Sequence, residues 1–267
     1  MLRRIVPYIF CAVVAAMSVA PHAALAAGFD SWAALVVSGD YRAHSGAPSE
    51  VFDNGRRDIA KMLQSLGFVR SRILEFSVRP ELDKETNPKL SDVGLIRSEF
   101  TKLAKQAGGG CFVYFTSHGG AQGVVVGDAI ESPRDLAAML GDACGDRTTV
   151  VMISACYSGV FVPVLRSDTR MIMTAARPDR QSFGCGEDNM YTFFDQCVLE
   201  SFPQSRDFPG LATKVQDCVS KREQVEHATP PSEPQVSIGN VIANPLAQYA
   251  FAPTGPAAIT ARAAPSR

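Results

Sequence analysis

Phe112-Val113-Tyr114-Phe115-Thr116-Ser117-His118-Gly119-Gly120 and Val150-Val151-Met152-Ile153-Ser154-Ala155-Cys156-Tyr157-Ser158-Gly159 are two apolar runs, each stopping abruptly at a reactive side chain followed by glycine. Short runs that are apolar throughout read as strands buried on both faces, the pattern of a mostly parallel sheet. Open parallel sheets bind ligands beyond the carboxyl ends of their strands, and neighbouring strands lie only about 4.8 Å apart. His118 and Cys156, although 38 positions apart in the chain, therefore meet across one crevice if the two strands are neighbours.

The flanking sequence supplies the rest of such a sheet. Ala33 to Ser38 (AALVVS) reads as a buried strand ended by Gly39, and Ile73 to Val78 as a second strand. Between them Val51, Ile59, Met62, Leu63 and Leu66 recur at helical spacing and form one apolar stripe. Ser91 reads as the N-cap of a helix carrying Ile96, Phe100 and Leu103, which Gly108-Gly109-Gly110 ends before the Cys111–Phe115 strand. A hairpin-like excursion occupies Gly123 to Asp128. Ser132-Pro133-Arg134-Asp135 then offers a cap, a proline at the first helical position and an acid three residues after the cap, ahead of Leu136, Met139 and Leu140. Strands at Thr148–Ser154 and Arg170–Thr174, helices near Asn189–Glu200 and Gly210–Val225, and a last strand at Gln235–Ile238 complete the pattern. Strands alternating with helices predict an α/β fold, a three-layer α/β/α sandwich around a mostly parallel sheet of about six strands.

At 267 residues and 46% hydrophobic composition the chain has enough apolar material for one sizeable core. With 26 basic and 27 acidic residues the net charge is −1, so no global field recruits nucleic acid or an anionic membrane, and partners must be read from a site. Arg3 and Arg4, the apolar run from Ile5 to about Ala20, and Ala24-Leu25-Ala26 read as a secretory signal cleaved after Ala26 or Ala27. As an uncleaved anchor the run is short, about 16 residues interrupted by Pro7 against the ~20 that span a bilayer. The expected organisation is therefore a leader over 1–26, one folded α/β domain over 27–243 and an Ala- and Pro-rich flexible tail over 244–267. Periplasmic or secreted localisation follows, with no stable membrane association once the leader is removed. Six cysteines remain after the leader: Cys111, Cys144, Cys156, Cys185, Cys197 and Cys218. An exported chain permits disulfides. Cys111 opens one strand and Cys144 precedes its expected neighbour, while Cys197 and Cys218 lie on consecutive helices, so these make the two candidate pairs and leave Cys185 unpaired near the pocket loop. No C-x-x-C or histidine cluster marks a metal site, and no cofactor is implied.

The chemistry that suits this arrangement is thiol catalysis. A thiolate is the nucleophile, and an adjacent imidazole takes its proton and later protonates the leaving amine. The amides of Gly119 and Cys156 are candidate oxyanion donors, each worth about 3 kcal/mol in hydrolases. A helix expected just after Gly159 would add the field of its amino end.

The segments FVYFTSHGG and ISACYSG resemble the two signature segments of legumain-type cysteine peptidases, whose clan includes the caspases. Their order matches as well, and Asp40-Tyr41-Arg42-Ala43-His44 and Thr174-Ala175-Ala176-Arg177-Pro178 extend the likeness, which covers roughly Ala33 to Glu200. The resemblance implies a caspase-like fold and an endopeptidase cleaving peptides or proteins after Asn or Asp through an acyl-enzyme. It makes Cys156 the nucleophile, His118 the general base, Gly119 an oxyanion contributor and Arg42 a lining of the specificity pocket. Two departures stand out. Asp40 takes the place of an asparagine that helps orient the family's histidine, and Ser154 the place of a pocket glutamate two residues before the nucleophile. Asp195 is the candidate for the remaining pocket acid. The loss of one acid predicts readier acceptance of aspartate than in legumain. Transpeptidation through the same thioester and a non-catalytic binding module on the same fold are the alternatives, and His44 and His227 read as solvated.

Overall fold

A computed structural model describes Gly28 to Phe251; the expected leader and residues 252–267 of the expected tail lie outside the described residues. In chain order the elements are β1 (Ala33–Ser38), α1 (Val51–Ser65), β2 (Ile73–Ser77), β3 (Lys89–Leu90), α2 (Val93–Gln106), β4 (Cys111–Thr116), β5 (Gly119–Gly120), β6 (Gly123–Val126), β7 (Ala129–Glu131), α3 (Pro133–Cys144), β8 (Thr149–Ser154), α4 (Val162–Leu165), β9 (Arg170–Thr174), α5 (Phe193–Ser201), α6 (Phe208–Val225), β10 (Gln235–Ile238) and α7 (Ala243–Gln248). Seven strands form the main sheet in the order β10-β9-β8-β4-β1-β2-β3. All neighbours run parallel except β10, which is antiparallel to β9. The seventh strand is β3, two exposed residues with too little apolar character to announce themselves.

Strand alternation divides the sheet between two helical layers. Ala34, Val36, Phe112, Tyr114, Met152 and Met173 face the layer of α1, α5, α6 and α7, where Ile59, Leu63, Val198, Leu211 and Leu246 are buried. Ala33, Leu35, Val113, Phe115, Val151 and Ile172 face α2, α3 and α4, meeting Ile96, Phe100, Leu136 and Leu140. β5, β6 and β7 form a separate antiparallel sheet over the carboxyl ends of the strands.

Local signals resolve as the chemistry directs. Ser132 caps α3, accepting from the Asp135 amide at 3.2 Å. At α2 the cap is Asp92, whose carboxylate accepts from the Leu95 amide at 2.8 Å, while the expected cap Ser91 donates to the Ser38 carbonyl at 2.7 Å. The flexible tail expected from residue 244 is corrected at its start. α7 packs Leu246 into the core beside Ile242, and Phe251 closes on Phe208 with ring centroids 5.0 Å apart. Disulfides join Cys111 to Cys144 and Cys197 to Cys218, closing separations of 33 and 21 residues. Beneath the sheet edge Arg56, fully buried on α1, is neutralised by Asp53 at 3.1 Å and by Glu75 and Asp83. No helix among the described residues is long and apolar enough to cross a membrane.

Candidate active site

The chain order reverses between β1 and β4. From β1 the sheet grows outward through β2 and β3, then resumes on the other side with β4, β8 and β9. Crevices open at such switch points. In the parallel register Thr116 of β4 lies opposite Ser154 of β8, and the Ser117 amide donates to the Ser154 carbonyl at 3.0 Å. His118 and Cys156, each two residues beyond that pair, leave the sheet side by side. Gly119 tightens the junction, because a Cβ built there would sit 2.5 Å from the Cys156 carbonyl oxygen and 2.9 Å from Ala155 Cβ. Both reactive residues line one cleft of about 350 Å³, with His44, Gly119, Tyr157 and the segment 181–186.

His118 is held by main chain. Its Nε2 lies 2.9 Å from the Arg42 carbonyl oxygen, and Phe52 packs edge-on against the ring with centroids 5.1 Å apart. A carbonyl only accepts, so this bond places the proton on Nε2 and leaves Nδ1 with the basic lone pair. The expected orienter Asp40 does not touch the imidazole. Its Oδ1 accepts from the Tyr41 and Arg42 amides at 2.7 and 3.1 Å, and its two oxygens accept from Arg42 Nε and Nη2 at 3.0 and 3.1 Å. Asp40 thus fixes the turn that presents the Arg42 carbonyl. Burial opposes its ionisation, but Arg42 and the two amides prevail and hold the carboxyl below the usual carboxylate range. Arg42 itself keeps its guanidinium at the half-exposed rim, paired to Asp40, and is not among the residues lining the cleft.

Cys156 follows β8 at a sharp turn, with Tyr157 in the left-handed region at φ 58° and its amide donating to the Arg180 carbonyl at 2.7 Å. The sulfur rests on Ser182. The Ser182 amide donates to Sγ at 3.3 Å, and the thiol lies 3.5 Å from the Ser182 carbonyl. The helix expected after Gly159 is reduced to a 3₁₀ turn, Ser158–Phe161, followed by the single turn of α4, so little dipole field reaches the sulfur. Gly119 supplies a free donor. The Val125 amide bonds the His118 carbonyl at 2.9 Å, and antiparallel alternation then turns the Gly119 amide away from β6. Among the described residues the Cys156 amide donates to no carbonyl.

Two expected pocket residues lie elsewhere. Ser154 is buried in β8 with Oγ 3.0 Å from Thr192 Oγ1, and Asp195 on α5 has no exposed surface. Asp195 receives the Tyr114 and Thr116 hydroxyls, each at 2.6 Å, and stands against Gly55 of α1, where a Cβ would come within 2.3 Å of its carboxylate. Burial pushes the Asp195 carboxyl up, against the lowering by the surrounding hydroxyls. Both residues belong to a polar joint between sheet and helix layer, and neither faces the cleft. His44 is exposed, as expected, and also lines the cleft, with its amide bonded to the Cys185 carbonyl at 3.0 Å. Its proximity to Arg42 in sequence was the only signal for it, and nothing in the sequence marked Ser182.

With fold and cleft described, the class is that of a caspase-like α/β fold carrying a His–Cys cleft at the carboxyl edge of its sheet. The sequence profile described as "Peptidase C13 family" matches residues 97–232, just over half of the chain, and the chain belongs to that family. The match spans His118, Gly119 and Cys156 and begins after Asp40 and Arg42. Among solved structures, caspase-1 from Spodoptera frugiperda superposes with a TM-score of 0.57 at 16% identity, covering 80% of this chain and 88% of the caspase, a likeness of fold. No curated protein sequence matches the chain.

Proposed function

We propose that the protein is a cysteine endopeptidase in which Cys156 is the nucleophile and His118 its general base. The observation that carries this reading is the β4–β8 register, which delivers imidazole and thiol to one cleft with Gly119 packed against the Cys156 carbonyl. His118 Nδ1 takes the thiol proton, and the sulfur attacks a peptide carbonyl. The Gly119 and Cys156 amides receive the oxyanion. The imidazolium then protonates the leaving amine, and water cleaves the thioester. Labelling by a peptidyl electrophile should vanish in Cys156→Ala and slow at least 100-fold in His118→Ala; undiminished labelling of Cys156→Ala defeats the reading.

Asparagine is the proposed residue before the scissile bond, with aspartate second. Arg42 donors suit a side-chain carbonyl, but their charge is offset by Asp40, and Ser154 does not face the cleft, so the case for a more positive pocket loses its basis. Paired Asn and Asp fluorogenic peptides at neutral pH test this, and faster cleavage after Asp would reverse it. Export through a cleaved leader remains the proposed localisation, and the two disulfides support an oxidising compartment. Peptides or proteins are the proposed partners.

A further inference from the structure

Four of the six cysteines after the expected leader are paired, and the two that stay free, Cys156 and Cys185, both stand half-buried on the same cleft. Neither the fold nor the proposed peptide chemistry requires a second thiol there. The segment bearing Cys185 is anchored around the first sulfur. Ser182 rests on Cys156, and the Cys185 carbonyl accepts from the His44 amide at 3.0 Å. Cys185 lies three positions beyond Ser182, a reach of at most about 10 Å even when extended. Glycine flanks Cys185 on both sides. Gly184, at φ 88°, occupies a conformation that other residues adopt only under strain, and it brings the backbone against Phe193. Burial, then the neighbouring Cys156, push the Cys185 thiol up, so in the reduced protein Cys185 remains protonated beside the sulfur that reacts first.

We propose that Cys185 is a resolving thiol for Cys156, and that the pair forms a reversible disulfide that closes the cleft to substrate. The oxidant is a low-molecular-weight disulfide. The Cys156 thiolate attacks one of its sulfurs, forming a mixed disulfide and expelling one thiolate. Cys185 then gives its proton to a cleft imidazole, His44 being its neighbour, and attacks Cys156 Sγ, expelling the second thiolate. Two protein thiols are oxidised by two electrons, the oxidant is reduced to two thiols, and both protons go to the released thiolates. Closure needs the 182–186 segment to bring the two Cα atoms within about 6 Å of each other.

The test treats the full chain with oxidised glutathione at neutral pH, followed by non-reducing peptide mapping. The expected product is a peptide pair linked through Cys156 and Cys185, with the Cys111–Cys144 and Cys197–Cys218 pairs intact. Cys185→Ser should instead stop at glutathione on Cys156, and dithiothreitol should release both products. Persistent glutathione on Cys156 of the wild type with Cys185 still free overturns the proposal, as does failure of either thiol to react. Linkage is read by mass, so it stands or falls separately from whether the cleft hydrolyses peptides.

Discussion

Replacing Glu131 with glutamine should remove a pH dependence of stability built into the small sheet over the cleft. Glu131 is buried at the end of β7, and its Oε1 has no hydrogen-bond partner. Burial pushes its carboxyl up to about 7, Arg97 on α2 opposing and Asp135 on α3 adding to the rise. A folded-state value above the unfolded one means that the native protein holds a proton the unfolded chain releases. The stabilisation is complete below the ordinary value of 4.5 and is lost as pH climbs through about 7. Between pH 5 and 8 the loss amounts to about 2.5 kcal/mol. Urea unfolding of wild type and Glu131→Gln, with disulfides intact, should show the variant gaining about that much relative to wild type across this range. Parallel stability curves would refute the assignment. Activity should follow, because Gly119, Val124 and Glu131 lie directly opposite one another across β5, β6 and β7, so loosening β7 loosens the proposed oxyanion donor.

Four further outcomes are expected. Asp40→Ala should lower kcat about 100-fold by freeing the turn that presents the Arg42 carbonyl, while Asp40→Asn, which keeps an acceptor for both amides, should stay within a few-fold; steady-state kinetics with KM resolved checks both. Gly119→Ala drives a methyl into the Cys156 carbonyl and should abolish electrophile labelling at little cost in far-UV circular dichroism. Arg56→Ala strands Asp53, Glu75 and Asp83 and should cost about 3–5 kcal/mol in denaturant unfolding. Asp195→Ala orphans the Tyr114 and Thr116 hydroxyls and should destabilise by about 2–4 kcal/mol, whereas Asp195→Asn should leave KM unchanged because the side chain does not reach the cleft.

The sheet was legible because β1, β4, β8 and β9 are apolar runs bounded by glycine or turn residues, and a wholly buried strand has no other way to look. The sharing of one cleft by His118 and Cys156 was legible in where two of those runs stop. Ser154 and Asp195 came from the resemblance alone, and no pattern in the sequence shows that Ser154 ends β8 buried against Thr192 or that Asp195 is enclosed on α5 by the Tyr114 and Thr116 hydroxyls. Asp40 bonds the turn at Tyr41 and Arg42 and is linked to His118 only through the Arg42 carbonyl, which no side-chain pattern encodes. The helix of Ala243–Gln248 (ANPLAQ) carries a proline and no periodic stripe, and Leu246 and the nearby Phe251 are ordered by the core they join.

That the imidazole leans on the oxygen of residue 42 and not on its side chain separates two evolutionary pressures. Every amino acid carries that oxygen, and the amides that Asp40 grips are equally indifferent to identity, proline at either position excepted. Another residue could therefore stand at the rim and keep the carbonyl that meets His118 and both amide bonds to Asp40, giving up only the two guanidinium bonds. Libraries randomised at this single codon test whether the proposed selectivity moves while the carbonyl contact to His118 is kept.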